Sequence, residues 1–560
     1  MEIVNKKLFI IAAIIIILAA FFRFININSE EVMTDEGNYA LRGIGWNDFM
    51  QSTTLTTPWN WFEEKDTLPF WTQLSFFDHP PLHFAAIWLS TKIFGVHLWS
   101  IRLFPAIFGI LSVMLIMAIF IRRKLIYGAI CSGLFLAVSP WHILISRRAA
   151  QESMVIFFLL LCTYIVLRIL EDKADKKYIW IIMGLILGLG LLTKYSMAVI
   201  FPTIIYLAMY KKWYKNKFFY LMPLIFFITM IPLILYNIFT YLERKHFDLQ
   251  ITRFLKMDTL IDWPASVQGI WQGNVHSVIT YFQNVASWIS IFAMATIIIG
   301  FMYFICKKIE KENFAICAFS YSMIILTGIF SALTLGDFGR SSIIIPFLAL
   351  GFGMGSEAII LRKNTVFLML IFACFILLSF SSISDRLGKS YLPKFFIFSF
   401  YEQPHGFDYY EKWKEKHFSI SYSPIHYLSL KNWFEHQMHL VNTTKGPIII
   451  YDQRIIWFGA NWYFYKDTFY SDNIPVMHMG IVELLLRANA IDVEGKKIYF
   501  VEADDAAMDA KPGLDPTALS IYKNLKQMAN AQNVQPVIIQ NDSGENVLKI
   551  WEFIWKNSDN

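Results

Sequence analysis

Two adjacent carboxylates, Asp35 and Glu36, follow shortly after the end of the first long apolar run of the chain. A carboxylate in such a place can take a proton from a nucleophile or help to bind a divalent cation. Charged residues are also common at the ends of membrane helices, where they mark no more than a hydrated loop. The residues that accompany the pair later in the chain favour the chemical interpretation.

A further acid and several cations fall at the ends of later apolar runs. Each of these cations alone is explained by a side chain that reaches from a helix end to the lipid headgroups. On one face of a membrane, however, they would form a site that holds an anionic group and activates a nucleophile. The candidate catalytic residues are Asp35, Glu36 and Glu152, and the candidate anion-binding residues are His79, Arg102, Arg147, Lys194 and Arg340.

The composition predicts a membrane protein. Hydrophobic residues make up 56% and charged residues 16% of the 560 positions, whereas soluble domains carry about 25% charged residues. The net charge of +6 is small for this length and forms no basic stripe, which argues against nucleic acid as a partner. The five cysteines fall in or beside apolar runs and have no spacing typical of a metal site.

Lysine and arginine clusters orient the apolar runs. Lys6 and Lys7 precede the first run, which has no cleavage site, so we expect a retained span with the N-terminus in the cytoplasm. The run Pro80–Phe94 is short for a crossing. If it crossed, Arg122, Arg123 and Lys124 would lie outside, against the charge bias, so it is predicted to lie on the surface or to re-enter the bilayer. We expect eleven spans and an outside C-terminus, the spans being about Leu8–Phe24, Leu103–Ile121, Tyr127–Ile145, Met154–Ile169, Trp180–Leu192, Met197–Tyr210, Phe218–Phe239, a span ending at Lys307, Phe314–Leu335, Ile343–Ile360 and Val366–Ser381.

Two outer loops are expected from the same pattern. The first, between Asp35 and His79, is rich in Trp and Phe. It predicts either amphipathic helices under which a lipid-linked substrate slides or an aromatic belt that only anchors the loop. The second is long and covers about Thr240–Ala286.

The C-terminal part differs in pattern from the rest. From about residue 385 short β-type segments alternate with helical ones, which predicts an α/β domain. The expected strands are Pro447–Tyr451, Lys497–Val501, Pro536–Ile539 and Leu548–Ile554, and the expected helices include Val482–Ala490 and Leu519–Ala531. The predicted domains are a transmembrane domain, 1–384, and an extracytoplasmic soluble α/β domain, 385–560.

Short motifs over residues 1–380 resemble those of a known superfamily. They are Asp35-Glu36, His79-Pro80-Pro81-Leu82, Phe94-Gly95, Arg102-Leu103-Phe104-Pro105-Ala106, Ser139-Pro140, Ser146-Arg147-Arg148-Ala149 with Glu152, Gly190-Leu191-Leu192-Thr193-Lys194 and, more loosely, Arg340 with Pro346. Their order and spacing resemble the GT-C fold glycosyltransferases, above all the dolichyl-phosphate-mannose protein mannosyltransferases and the aminoarabinose transferase of lipid A. The chain departs from the mannosyltransferases at His83-Phe84, where they have Gly-Lys, and at Glu152, where Asp is common.

The resemblance implies a polytopic α-helical membrane enzyme of the plasma membrane. Such an enzyme would move a sugar from a polyprenyl-phosphate-linked donor to a hydroxyl or amine of a lipid, glycan or protein acceptor on the extracytoplasmic face, inverting the anomeric centre. Asp35 would act as the base, and the cations named above would hold the departing phosphate.

Some alternatives stay open at this stage. Asp35 and Glu152 would share a divalent cation, Mg²⁺ or Mn²⁺, if the reaction uses one; relatives differ in metal use. Two other functions also fit an outward-facing polar cluster: a transporter or flippase of a lipid-linked glycan, and a non-catalytic envelope assembly protein. The sequence shows no obvious internal repeat of the kind that transporters have.

Overall fold

The computed structural model describes residues 2–28, 32, 35–45, 69–257, 273–289, 291–306, 311–334, 340–361, 430, 433, 447–452, 476–478, 493–504, 516–540, 544 and 546–556. The chain forms two compact units, one of residues 1–27 and 69–402 and the other of residues 28–68 and 403–560. The predicted domain boundary at residue 385 lies outside the described residues and stays a prediction.

The first unit is built of helices, and most of them coincide with apolar runs of the sequence. With α2 (Asp35–Gly45) assigned to the second unit, the helices of the first are α1 (Glu2–Phe24), α3 (Leu82–Phe94), α4 (Leu98–Arg122), α5 (Ile126–Val138), α6 (Pro140–Arg147), α7 (Glu152–Arg168), α8 (Lys177–Thr193), α9 (Phe201–Tyr210), α10 (Leu221–Thr229), α11 (Ile231–Arg244), α12 (Leu249–Leu255), α13 (Val275–Ile289), α14 (Ile291–Cys306), α15 (Lys311–Leu333) and α16 (Ile345–Leu361). Short 3₁₀ turns cover Phe70–Gln73, Tyr195–Ile200 and Arg340–Ile344.

Several of these helices are long and apolar enough to cross a membrane. Within the described residues five single helices meet that criterion, or up to seven spans if each of two bent helix pairs counts as one. Shorter apolar helices include α3 and α8. The protein is therefore a polytopic helical membrane protein. The expected total of eleven spans stays a prediction, and the last of them, Val366–Ser381, lies outside the described residues.

The predicted third span is broken at Ser139. The two halves, α5 and α6, meet there at an angle of 56°. Pro140 begins α6 and lacks a backbone N–H, and a proline pushes the residue before it out of helical geometry, as seen in the extended ψ of 118° at Ser139. The carbonyls freed by the break at Leu136 and Ala137 accept hydrogen bonds from Arg23, at 3.0 and 3.4 Å.

The second outer loop contains more regular structure than the sequence predicted. α12 lies within it, and α13 begins at Val275, before the predicted end of the loop at Ala286. α13 also packs against α15. The apolar face of α13 therefore packs within the helical unit. The sequence had assigned most of α13 to an outer loop.

Small residues bring α8 against α10. A Cβ atom at Gly184 would lie 2.3 Å from the carbonyl oxygen of Met222, and one at Gly188 would lie 2.6 Å from the Cβ of Thr229. Only glycine permits so close an approach without a shift of backbone. This packing fixes the axis of α8, the helix that ends at the candidate site residue Lys194.

The second unit contains a five-stranded sheet in the order β2-β1-β3-β5-β4. The strands are β1 (Ile448–Tyr451), β2 (Val476–His478), β3 (Lys497–Ala503), β4 (Val537–Gln540) and β5 (Asn546–Ile554), and the helix α17 covers Pro516–Ala531. β1 pairs in parallel with β2 and β3, and β5 is antiparallel to β3 and β4. Apolar side chains of β1, β3 and β5 form a core with Ile521 and Leu525 of α17.

Candidate active site

The centre of the candidate site is an ion pair between Glu152 and Lys194. Glu152 is the first residue of α7, and Lys194 directly follows the last residue of α8. Each charge thus lies at the helix end whose dipole favours it. The two side chains are only 11% and 15% exposed, respectively. A carboxylate and an ammonium group removed from water in this way are costly unless they are paired.

Two histidines stand beside this pair. His83, in the first turn of α3, is fully buried, and its Nε2 lies 3.1 Å from the carbonyl oxygen of Ala149. His83 interacts electrostatically with Glu152, His79 and Lys194. These four side chains therefore form one polar cluster, which we call the Glu152–Lys194 cluster: His79, His83, Glu152 and Lys194. Sequence reasoning had included His79, Glu152 and Lys194 but not His83, which it noted only as a departure from relatives.

His79 is positioned by a tight turn before α3. The backbone N–H of Phe76 donates to the carbonyl of His79 at 3.2 Å, and the N–H of His79 donates to the carbonyl of Phe76 at 3.3 Å. The Nδ1 atom of His79 lies 3.1 Å from Asp78. Pro80 and Pro81 follow, and their fixed φ angles suit the start of a helix. The His-Pro-Pro-Leu motif thereby places His79 and His83 close to each other.

A second polar group, which sequence reasoning did not find, lies next to the cluster. Asp248 is fully buried and accepts hydrogen bonds from the hydroxyl of Tyr195 at 2.6 Å and from the Nδ2 of Asn237 at 3.0 Å. The backbone N–H groups of Gln250 and Ile251 donate to its other oxygen. Burial raises the pKa of Asp248, and the hydrogen bonds oppose that rise.

Tyr195 connects the Asp248 group to the Glu152–Lys194 cluster. Tyr195 follows Lys194 directly, so the Asp248 carboxylate holds the residue next to the ammonium group of the cluster. The signal in the sequence was an aspartate immediately before the helix Leu249–Leu255, where it acts as the N-cap. That signal indicates a cap and does not indicate which distant tyrosine the carboxylate contacts.

The end of the first outer loop is fixed on the same elements. The N–H of Leu249 donates to the carbonyl of Phe77 at 2.7 Å, and the indole N–H of Trp71 donates to Glu243 at 3.1 Å. Trp71, Phe76 and Phe77 are buried. These three aromatics therefore pack inside the first unit, whereas Phe70 of the same loop is 69% exposed. The interfacial floor or belt expected for this loop stays a prediction. The aromatics between residues 46 and 62 lie outside the described residues.

Arg102 and Arg147 lie at the end of α1. The Arg102 guanidinium donates to the carbonyl of Ile27 at 2.7 Å, and that of Arg147 donates to the carbonyls of Phe22 and Asn26 at 2.9 and 3.1 Å. Both side chains are fully buried. Their hydrogen bonds satisfy carbonyl groups that a helix C-terminus leaves without intrahelical partners. The predicted phosphate-binding role of these two residues stays a prediction.

The remaining candidates are described in part. Asp35 and Glu36 begin α2 in the second unit; the Glu36 side chain is buried, and that of Asp35 is outside the described atoms. Arg340 begins the turn Arg340–Ile344, which packs against α7 and the turn Tyr195–Ile200. The backbone of Arg340 thus belongs to a segment that contacts the elements bearing Glu152 and Lys194. The position of its side chain is not described.

Among the described side chains, no three His, Cys, Asp or Glu residues lie close enough together to bind a metal ion. The carboxylate of Glu152 is paired with the ammonium group of Lys194. While that pair is formed, the carboxylate does not fit the role of a ligand to Mg²⁺ or Mn²⁺. The expected metal ligand pair Asp35 and Glu152 stays a prediction, because the Asp35 side chain is not described.

The matches to known sequences cover the part of the chain that contains the cluster. The family model described as "Dolichyl-phosphate-mannose-protein mannosyltransferase" matches residues 78–236, a range that includes the whole Glu152–Lys194 cluster. Over 121 residues the chain is 29% identical to the "Putative mannosyltransferase YkcB" of Bacillus subtilis (strain 168). That stretch is 21% of this chain, and the chain spans only 16% of the length of this curated relative.

Comparison with solved structures covers nearly the whole chain. ArnT from Cupriavidus metallidurans in the apo state is matched with a TM-score of 0.57 at 13% identity, over 98% of each chain. The same protein bound to undecaprenyl phosphate gives 0.56 at 13% identity, over 96% of this chain and 97% of the other. Identities this low show a shared fold and nothing more. The fold and the match over residues 78–236 together confirm the resemblance predicted from the sequence, to the GT-C superfamily of membrane glycosyltransferases.

Proposed function

We propose that this protein is a membrane glycosyltransferase that moves a sugar from a polyprenyl-phosphate carrier to an acceptor outside the cytoplasm. The observation that supports it most is the Glu152–Lys194 cluster, a partly buried acid–ammonium pair with two histidines beside it. Such a cluster offers a cation for a phosphate and, once the pair opens, a free carboxylate. It lies in the range that the mannosyltransferase family model matches.

The donor in this proposal is a sugar on a polyprenyl phosphate. A solved protein of the same fold binds undecaprenyl phosphate. Lys194 and His79 would contact the phosphate, together with Arg340, whose segment packs on the elements that bear the cluster. Arg102 and Arg147 would hold the end of α1 and would not contact the phosphate. Cations on a departing phosphate lower the barrier by about 2–4 kcal/mol each.

The reaction would be a single inverting displacement. The acceptor oxygen or nitrogen attacks the anomeric carbon, the bond from that carbon to the phosphate oxygen breaks, and the phosphate leaves with the electron pair. The proton of the acceptor passes to a carboxylate, for which Asp35 is the first choice by resemblance. Glu152 would orient the acceptor. The acceptor itself would be a lipid, a glycan or a protein.

The setting is a plasma membrane enzyme of eleven spans. The N-terminus would lie in the cytoplasm, and the site and the C-terminal α/β unit would lie outside. Lysine and arginine clusters after the even-numbered spans support this orientation.

Deletion of the gene tests the proposal. Lipid extracts of the deletion strain should accumulate a polyprenyl-phosphate sugar, measured by mass spectrometry, and the wild-type gene should remove it. Asp35→Asn should fail to do so at normal protein levels. Glu152→Gln should fail as well when activity is expressed per folded protein, each variant having less than about 1% of the wild-type rate in membranes.

Glu171→Gln is the matched control, because Glu171 forms ion pairs with Arg122 and Arg123 just beyond the other end of α7. It should restore normal lipids. Normal turnover by Glu152→Gln, or a deletion strain without accumulated lipid-linked sugar, would contradict the proposed function.

A further inference from the structure

The side chain of Gln151 is buried without a hydrogen-bond partner. Gln151 is fully buried, and within the described part of the chain neither its Oε1 nor its Nε2 has a partner. Its backbone carbonyl is used normally and accepts from the N–H groups of Met154 and Val155 at 3.1 Å. Buried amides are almost always hydrogen bonded, since the loss of water is otherwise uncompensated. An amide kept in this condition points to a ligand.

Gln151 lies within the segment that builds the candidate site. It directly precedes Glu152, and two residues before it is Ala149, whose carbonyl contacts His83. Five serine hydroxyl groups are also buried without a partner among the described residues, and three of them lie in site segments. These three are Ser75 in the loop before α3, Ser196 two residues after Lys194, and Ser342 in the turn that contacts α7. The other two, Ser331 and Ser356, lie in α15 and α16.

The chemistry of an amide selects its ligand. A carboxamide offers donors on Nε2 and an acceptor on Oε1. A phosphate diester carries acceptors only, so it would leave Oε1 unsatisfied. A sugar hydroxyl both donates and accepts, and two neighbouring hydroxyls satisfy both ends of the amide. The ligand that fits Gln151 is therefore the sugar itself and not the phosphate that the neighbouring cations would hold.

We propose that Gln151 binds hydroxyl groups of the transferred sugar and thereby contributes to the choice of donor sugar. This inference rests on the proposed function, in which Lys194 holds the phosphate bonded to that sugar. Gln151 belongs to the same segment as Glu152, the ion-pair partner of Lys194. Gln151 would be a specificity-determining residue and would take no part in proton transfer.

The test compares lipid phosphates with and without a sugar. The purified full-length protein is titrated with farnesyl phosphate and with farnesyl phosphate esters of mannose, glucose and galactose, without any acceptor. The wild type should bind one of the sugar esters more tightly than farnesyl phosphate. Gln151→Met should weaken that ester by about 10- to 100-fold, as for the loss of hydrogen bonds from a buried site, and leave farnesyl phosphate unchanged.

The melting temperature supplies an independent readout. Gln151→Met keeps the volume and removes an unsatisfied buried amide, so it should raise the melting temperature while it lowers affinity for the sugar. If Gln151 were needed only for the fold, Gln151→Met would lower the melting temperature. Thr163→Val changes a buried polar residue of α7, the helix that follows Gln151, at a hydroxyl that donates to the carbonyl of Leu159. It is the control and should leave the binding of all the lipids unchanged.

Deoxy sugars identify the hydroxyl groups. Removal of the hydroxyl that Gln151 binds should weaken the wild type but not Gln151→Met, which is the result of a double-mutant cycle for a direct contact. If Gln151→Met loses the same affinity for farnesyl phosphate as for its sugar esters, or loses none for either, the role of Gln151 is overturned. The proposed function is then left intact. If the wild type prefers no sugar ester over farnesyl phosphate, the proposed function fails as well. Failure of both Gln151→Met and Gln151→Leu to fold would make the amide structural and also overturn the inference.

Discussion

At the scale of single residues, the Glu152–Lys194 pair combines low exposure with no evident structural necessity. Its charges come from the ends of two helices that pack together through apolar side chains. A pair of low exposure contributes little net stability, since desolvation offsets the attraction. Under the proposed function, the pair is present for catalysis and not for stability.

Variants that remove one or both charges test whether the Glu152–Lys194 pair serves function or folding. Lys194→Met should destabilise the protein by about 3 kcal/mol, because it leaves the Glu152 carboxylate unpaired at low exposure. The double variant Glu152→Gln with Lys194→Met should recover most of the lost melting temperature and still show no sugar transfer. Thermal unfolding and transfer assays on the same preparations measure both. A double variant as unstable as Lys194→Met would mean that the pair is structural.

Tyr195 connects the pair to the buried Asp248 group. Tyr195→Phe removes one of the four hydrogen bonds to that carboxylate and leaves the other three. We expect kcat to fall about tenfold, because a loosened Tyr195 leaves the neighbouring Lys194 less well fixed, while KM and the melting temperature change little.

Tyr206→Phe is the matched control, because its ring is 64% exposed on α9. It should leave kcat unchanged. If the two variants have the same kcat, the Asp248 group plays no part in positioning Lys194.

At the scale of elements, buried arginines complete helix ends. Arg102 and Arg147 satisfy the end of α1, and Arg23 satisfies the end of α5. The carbonyls involved are separated from Arg102 and Arg147 by 75 or more positions in the chain. The sequence shows a cation at the end of an apolar run, and only the fold shows which carbonyls it meets. A cation that binds a phosphate and a cation that caps a helix therefore look alike in the sequence.

Arg147→Met distinguishes these two roles. It should lower the melting temperature by several degrees, since hydrogen bonds from a charged group are worth about 1.5–3 kcal/mol each and several carbonyls lose their donor. Affinity for farnesyl phosphate in the protein that remains folded should stay unchanged. A large loss of that affinity at an unchanged melting temperature would instead support the predicted phosphate-binding role of Arg147.

Element positions were predicted well where one local signal dominates. Length and hydropathy placed the helices α4 and α7, and alternation of strand and helix signals placed β3 and α17 within a few residues. The break at Ser139 was not predicted although Pro140 is a local signal for it. The helix α13 was not predicted because it depends on packing against α15. The three-residue strand β2 is too short to have a pattern of its own.

At the scale of the whole molecule, the sequence predicted the superfamily and three of the four side chains of the cluster. Charges at helix ends pointed to His79, Glu152 and Lys194. His83 was missed because a histidine inside an apolar helix is usually an ordinary buried residue, and Asp248 because its partners Asn237 and Tyr195 are brought to it only by folding. Local motifs predict which ends carry charge, whereas the network between those ends is a property of the fold.

The orientation in the membrane is the prediction on which the cellular role depends. With all five native cysteines replaced by serine, Lys176→Cys, before α8, and Lys523→Cys, in α17, each provide one exposed thiol. A membrane-impermeant maleimide should label Lys523→Cys in intact cells and Lys176→Cys only after permeabilisation. The reason is that Lys176 belongs to a lysine cluster expected inside, whereas α17 follows an odd number of expected spans. Labelling in the reverse order would place the C-terminal unit in the cytoplasm, where a transferase would meet cytoplasmic acceptors instead.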